Sequence, residues 1–352
     1  MSNPDQKYRI IEGEYLRDIL DQPRALEATI AGLTTPDGLL PIAQQVKQGV
    51  LKRVVLTGMG SSFHALYPLH LLLSSRGFAT WWVETSELVH YLRPLLDPAT
   101  LIIAVSQSGR SAEILTLLER NAGRARIIAV TNTAKSPLGS GADVVMLTSA
   151  GEEFSVSCKT YVTALMALGQ IAALLSSTDL GQARNELAQA APAAAAYLNS
   201  WRDHVLELAA ALDNVHDLFF VGRGISLAAV GTGALITKES THYHAEGMSS
   251  AAFRHGPMEM VNERTFVGVF SGVDTTRALN AKLVEDIRHK GGMGELIGTE
   301  ARHSSLRIPA VPESVIPILE ILPVEMITLA LAAQTGREAG RFSFASKVTT
   351  TE

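Results

Sequence analysis

Four stretches of this chain and its last residues gather side chains able to do chemistry. At 106–111 the sequence reads SQSGRS, with three hydroxyls (Ser106, Ser108, Ser111), the amide of Gln107 and a glycine, directly after the apolar run TLIIAV. Hydroxyls and free N–H groups at the opening of a helix favour an anion, and a phosphate is the natural guest. The same residue types also serve simply to cap a helix that follows a strand. GMGSS, at 58–62, supplies Gly60, Ser61 and Ser62 in a second such turn, without the third glycine of a dinucleotide fingerprint. EEFSVSCKTY, at 152–161, places Ser155, Ser157, Cys158 and Lys159 ahead of an apolar helix, hydroxyls and a cation that again suit an anion, while Cys158 reads as a small buried residue. Residues 236–261 pack Glu239, Glu246, Glu259, His242, His244 and His255 into one segment. That density raises the question of zinc, but no His-Glu-x-x-His pair is present, and glutamate with histidine equally suits proton transfer. RHGP sets a turn at Gly256 and Pro257 that holds His255 at a helix end. Lys347 stands in the closing SKVTTTE, by composition a polar end.

Each turn needs an element to present it. A helical period runs over Ile19–Leu33 and another over Leu39–Gln48. Then KRVVLTG, ATWWVET, TLIIAV and RIIAVTN read as strands, separated by helical stretches of about a dozen residues, which argues for a parallel sheet covered on both faces. After the Ala-rich stretch from Leu180 to Tyr197, which contains Pro192, the order returns. HDLFFVGRGIS repeats VVLTGMGSS, and TFVGVFSG repeats LIIAVSQSG. Gly58 and Gly222 are 164 residues apart, Ser106 and Ser271 165, so a tandem duplication is expected. The fold class is α/β, two tandem doubly wound parallel-sheet domains, each a three-layer α/β/α sandwich. The boundaries expected are a helical arm over 1–36, a first domain over 37–180, a helical linker over 181–202, a second domain over 203–335 and a tail over 336–352. In such a sheet the ligand crevice lies beyond the carboxyl ends of the strands, where both GMGSS and SQSGRS fall.

Composition narrows the class further. The 352 residues are 47% hydrophobic and 18% charged, as expected of a folded chain. Thirty basic against 35 acidic residues give a formal charge of −5, without a basic run, so nucleic acid is not an expected partner. One cysteine excludes an internal disulfide and a cysteine-built metal site. The opening MSNPDQKYRIIEGEY has charges where an export signal needs an apolar core, and the run from Val162 to Ser176 suits a core helix better than a membrane span. A cytoplasmic protein with small-molecule business, and no membrane partner, is the expectation.

Taken together, TGMGSSFHA, AVSQSGRSAE, SVSCKTYVTAL, TKESTHYHAEGMSSAAFRHGP and ASKVTTTE resemble the SIS (sugar isomerase) family, whose domains are flavodoxin-like. Within it they are most similar to the isomerase half of the glutamine:fructose-6-phosphate aminotransferases, and the arm IIEGEYLRDILDQPRALEATI is similar to the segment that opens that half. The resemblance implies a phosphorylated sugar or amino sugar as ligand, with no cofactor and no metal. It implies that Ser106, Gln107, Ser108 and Ser111 hold the phosphate, and that Gly60, Ser61, Ser62, Ser157 and Lys159 line the sugar. Glu239 matches the glutamate that moves a proton between C1 and C2. His255 matches a histidine that helps open the ring and reaches the site from the partner subunit of a homodimer. Lys347 matches a lysine that forms a Schiff base with the open-chain ketose, on a tail that closes the active site.

The chain departs from that pattern at three points. The glutaminase half has no counterpart in these residues, Thr232 and Ile236 replace a glutamate and a lysine, and Arg110 replaces an acidic residue. Ammonia from glutamine is therefore not expected. Deamination or isomerisation of an amino-sugar phosphate leads. A deglycase for a 6-phosphorylated fructosamine and a non-catalytic sugar-phosphate sensor are the alternatives.

Overall fold

The structure, a computed structural model, describes residues 8–344 and 346–351. Contacts group the chain into two compact units that are not continuous in sequence. One comprises 24–152, 159–188 and 345–352, the other 1–23, 153–158 and 189–344. The expected arm and the expected linker are thus each shared between the two.

The first unit holds a five-stranded, all-parallel sheet of β1 (Arg53–Gly58), β2 (Thr80–Glu84), β3 (Thr100–Val105), β4 (Arg126–Thr131) and β5 (Val144–Leu147), in the order β2-β1-β3-β4-β5. Every residue of β3 is buried, as a strand covered on both faces requires. Val55, Ile102, Ala104, Ile127 and Ala129 pack beneath the helices Thr85–Tyr91, Ala112–Asn121 and Pro137–Gly141. The alternate residues Val54, Leu56, Leu101, Ile103, Ile128 and Val130 point to the other face and are equally buried. Helix Lys159–Ser176 lies against β4.

The second unit holds β6 (Asp217–Gly222), β7 (Ala245–Ser249), β8 (Thr265–Phe270) and β9 (Met293–Ile297), parallel and in the order β7-β6-β8-β9. Its registers repeat those of the first sheet. Arg53 pairs with Thr100, and Asp217 with Thr265. Phe219, Val221, Val267 and Val269 pack with Leu283, Val284 and Ile287 of helix Asp274–His289. Helices Leu227–Thr241 and Ile321–Thr335 pack on each other, and the first of them lies along β6 and β7. The 303–306 loop is pinned to helix Trp201–Ala211 by Glu207, whose carboxylate accepts from the Ser305 N–H (2.9 Å), the Ser304 hydroxyl (2.8 Å) and His303 Nδ1 (3.0 Å). Partial burial works against ionisation there, yet these donors pull the Glu207 carboxyl down to about 2.

Several elements differ from the expectation. The helix read over 19–33 is two helices, Glu14–Leu20 and Gln22–Gly32, because Pro23 lacks an N–H to carry the ladder through. The Ala-rich stretch is likewise Leu180–Leu187 and Ala190–Leu198. β5, β7 and β9 were not anticipated. Two stretches, Lys159–Ser176 and Glu313–Thr335, have the length and apolarity to cross a membrane, but 83% and 94% of the most apolar 18 residues in each are buried inside the protein, the mark of core helices.

Candidate active site

In the first sheet the strand order reverses between β1 and β3, and both turns that leave those strands carry the anticipated residues. Gly60 and Ser61 open the helix Gly60–Ala65, Ser61 buried and Ser62 half-buried. The turns are neighbours, since a Cβ at Gly58 would stand 3.0 Å from the Val105 carbonyl oxygen.

The SQSGRS loop is braced from below. The Ser106 N–H donates to Val130 O (3.1 Å), its hydroxyl accepts from the Gly109 N–H (3.1 Å), and Gln107 O accepts from the Asn132 N–H (3.1 Å). Gly109 has φ +61°, its carbonyl accepts from the Leu138 N–H (3.0 Å), and a Cβ there would fall 2.1 Å from Ser136 Oγ. Only glycine meets both demands. Ser111 occupies the N-cap of helix Ala112–Asn121, yet its hydroxyl makes no capping bond to that helix. The loop therefore offers a hydroxyl at a helix N-terminus, where an anion is favoured. The tail reaches this same unit. Thr349 O accepts from the Ala112 N–H (3.2 Å), so the segment carrying half-buried Lys347 lies at the start of the helix that follows the loop.

The second sheet has the same switch point but not the same loop. Three residues, Ser271 to Val273, join β8 to its helix, against six, Ser106 to Ser111, after β3. The space is filled from within. The Ser226 hydroxyl donates to Glu320 Oε1 (2.7 Å), and Asn280 Nδ2 donates to Phe270 O (2.9 Å). Burial pushes the Glu320 carboxyl up to about 8, with the Ser226 bond opposing.

Of the other anticipated residues, Ser157, Glu239 and His255 belong to the second unit. Glu239 is half-buried on the last turn of helix Leu227–Thr241. His255 is exposed at the C-cap of the short helix Ser250–Arg254, next to Gly256 at φ +142°, the turn expected of RHGP. Ser157 is half-buried in the 153–158 loop, where Glu153 Oε1 accepts from the Cys158 N–H (3.0 Å). Lys159 is only 4% exposed, and its Nζ donates to Glu152 O (2.6 Å), so a good part of its hydrogen-bonding capacity serves its own loop. Thr232 and Ile236 are fully buried.

Tyr15, from the arm, was not anticipated. It is 1% exposed, and its phenol is pushed well up by burial first, then by the charges of Glu325 and Cys158, and last by that of Glu239. Glu325, also raised by burial, accepts from Gln22 Nε2 (2.7 Å). Among the described residues no three of His, Cys, Asp and Glu are grouped so as to hold a metal ion.

Comparison with known proteins matches residues 51–174 to the SIS domain. Over 350 residues the chain is 29% identical to a glutamine--fructose-6-phosphate aminotransferase [isomerizing] of Pyrococcus horikoshii, covering 96% of this chain and 57% of that protein. The C-terminal domain of a glucosamine-fructose-6-phosphate aminotransferase from Francisella tularensis superposes with a TM-score of 0.81 at 21% identity, covering 94% of this chain and 98% of that one. A glucosamine-6-phosphate deaminase from Thermotoga maritima gives 0.77 at 18%, covering 96% and 100%. These two likenesses establish the shared fold. The chain spans little more than half the length of the aminotransferase relative.

Proposed function

Residues 51–174 of this chain belong to the SIS domain family, and from that premise we propose that the protein is a phosphosugar isomerase whose substrate is an amino-sugar phosphate. The reaction would convert glucosamine 6-phosphate and water to fructose 6-phosphate and ammonia. The observation that carries this reading is the six-residue SQSGRS loop at the switch point of the first sheet, with Ser111 making no capping bond to its own helix. The aminotransferase and deaminase names of the relatives support the sugar phosphate as guest.

In this reading Ser106, Gln107, Ser108 and Ser111 hold the phosphate, and Gly60, Ser61, Ser62 and Ser157 meet the sugar. Lys159 joins them in this reading, with its Nζ also donating to Glu152 O. His255, contributed across a homodimer, assists ring opening. Glu239 takes the proton from C2 and returns it to C1, so the amine-bearing carbon becomes an imine that water hydrolyses with release of ammonia. Its half-buried setting suits a carboxylate that must pass a proton in both directions. When the C2–H bond breaks, the electrons pass to the C1 carbonyl of the open-chain sugar. Lys347 forms its imine, with loss of water, at the C2 carbonyl of the ketose, where in the reverse direction the protonated imine takes up the electrons of the C1–H bond.

Glu239→Gln should lower turnover by about 10²–10⁴-fold, the usual contribution of a general base, while binding of the phosphosugar persists. Unchanged turnover would remove Glu239 from the mechanism. Wild-type protein offered hexosamine 6-phosphates should release ammonia and ketose phosphate in equal amounts. Release of a free amino acid from a 6-phosphorylated fructosamine instead would make it a deglycase, a reading that buried Ile236, an apolar side chain where the family has a lysine, keeps in view. Binding with no product would make it a sensor.

A further inference from the structure

Helix Leu227–Thr241 ends in a turn that its own side chains loosen. The Ser240 hydroxyl donates to Ile236 O (2.6 Å) and the Thr241 hydroxyl to Thr237 O (2.6 Å), back-bonding that competes with the helical ladder. The cap, His242, is a non-glycine residue at φ +56°. The last carbonyls of a helix have no partner within it and must find one elsewhere. For Ser240 that partner is the tail, since the Gly340 N–H donates to Ser240 O at 3.1 Å. Glu239 is the residue before Ser240.

Gly340 can make this bond because it is glycine. Its φ is +77°, and a Cβ there would stand 2.7 Å from Tyr15 Cβ, 2.8 Å from Tyr15 Cγ and 3.1 Å from Ser155 Oγ. The first two are the rigid root of a side chain, so neither can swing away. Tyr15 is itself held: its hydroxyl donates to Thr328 Oγ1 (3.4 Å), which in turn donates to Glu325 O (2.7 Å). Beyond this point the chain is exposed at Arg341, Ser343 and Phe344, so Gly340 is where the tail leaves the core of the second unit.

We infer that Gly340 and Tyr15 form a clamp that positions Glu239: the tail backbone, seated on the Tyr15 ring, ties off the helix turn that carries the proton-transferring carboxylate. The clamp itself rests on geometry, while its catalytic meaning rests on the role proposed for Glu239. Tyr15 and Gly340 are positioning residues and touch no substrate. A base displaced by an ångström loses its alignment with the C–H bond while the phosphate grip is untouched, so kcat falls and KM does not.

The test uses the full chain with Gly340→Ala, Tyr15→Phe and Tyr15→Ala. Hydrogen exchange at the residue-340 amide should speed up tenfold or more in Gly340→Ala and Tyr15→Ala and stay within about twofold of wild type in Tyr15→Phe, which keeps the ring. Turnover should follow the same order, with kcat down about tenfold to a hundredfold and KM within about twofold. Wild-type exchange in Gly340→Ala would overturn the clamp. Faster exchange or a lower Tm with kcat intact would reduce it to a structural staple and overturn the positioning role. If wild-type protein turns over no phosphosugar, the proposed function fails, and the exchange measurement still judges the clamp.

Discussion

Glu320 lies 1% exposed behind the second switch point, its carboxyl raised from 4.5 to about 8 by burial, with one oxygen accepting from Ser226 and the other without a hydrogen-bond partner among the described residues. The raised value has a definite sign. Between these two values the unfolded chain releases the proton and the folded chain keeps it, so the fold loses stability as pH rises through that window. At 1.36 kcal/mol for each pH step, the loss between pH 5 and pH 7 is about 2.5 kcal/mol. Glu320→Gln removes the titration while keeping an oxygen for Ser226. Its amide N–H groups face the space where Oε2 has no partner, which costs about 1–3 kcal/mol at any pH. The absolute stability of the variant is therefore not the test; the difference between the two pH values is. Native-state hydrogen exchange of the core amides in β6 and β8 reads the stability of this unit. Wild type should drop by about 2–3 kcal/mol from pH 5 to pH 7 relative to the variant. Parallel curves for the two proteins would show that Glu320 is not held neutral and refute the reasoning.

Other substitutions probe the first unit and the tail. Gly109→Ala combines a positive φ with a Cβ driven into Ser136, and should cost about 1–3 kcal/mol while weakening phosphosugar binding by tenfold or more, read by calorimetry. Glu207 has the opposite sign to Glu320. Its lowered carboxyl stabilises the fold above 4.5 and loses that contribution as pH falls toward 2, so Glu207→Gln should flatten the acid limb of an unfolding titration, and an unchanged limb would sink the assignment. Borohydride added to wild-type protein with a ketose phosphate should fix the reduced sugar on the Lys347 peptide. A Lys347→Arg variant that traps equally well would exclude this lysine.

The strands that carry the SQSGRS loop and its counterpart were readable because each is a run of apolar, often β-branched residues followed by serine or glycine, and the two nearly equal spacings made the duplication visible before any register was known. β7 and β9 escaped because AEGMS and MGELI mix glycine and glutamate into edge strands that are only partly buried. β5, also at an edge, is four residues long. The residues of the SQSGRS turn could be anticipated because the chemistry of a strand-to-helix turn is local. Tyr15 and Gly340 could not, because their meaning arises from an arm, a loop and a tail that meet only after folding. Nothing near Gly340 in the sequence distinguishes it from an ordinary turn glycine. Lys159 shows the converse, a cation well placed by sequence whose ammonium the fold turns toward a neighbouring carbonyl.

The unequal loops of the two sheets bear on how the chain came to work. After a duplication, two equivalent crevices would each invite an anion, and a protein with both intact would bind two ligands for every active centre. Here the first sheet has a six-residue loop after β3, while the second has three residues after β8, with Ser226 bonded to Glu320 and Asn280 bonded to the end of β8 behind them. The repeated architecture thus carries two unlike turns, the longer after β3 and the shorter after β8, so that duplication of the sheet did not oblige the two halves to do the same work.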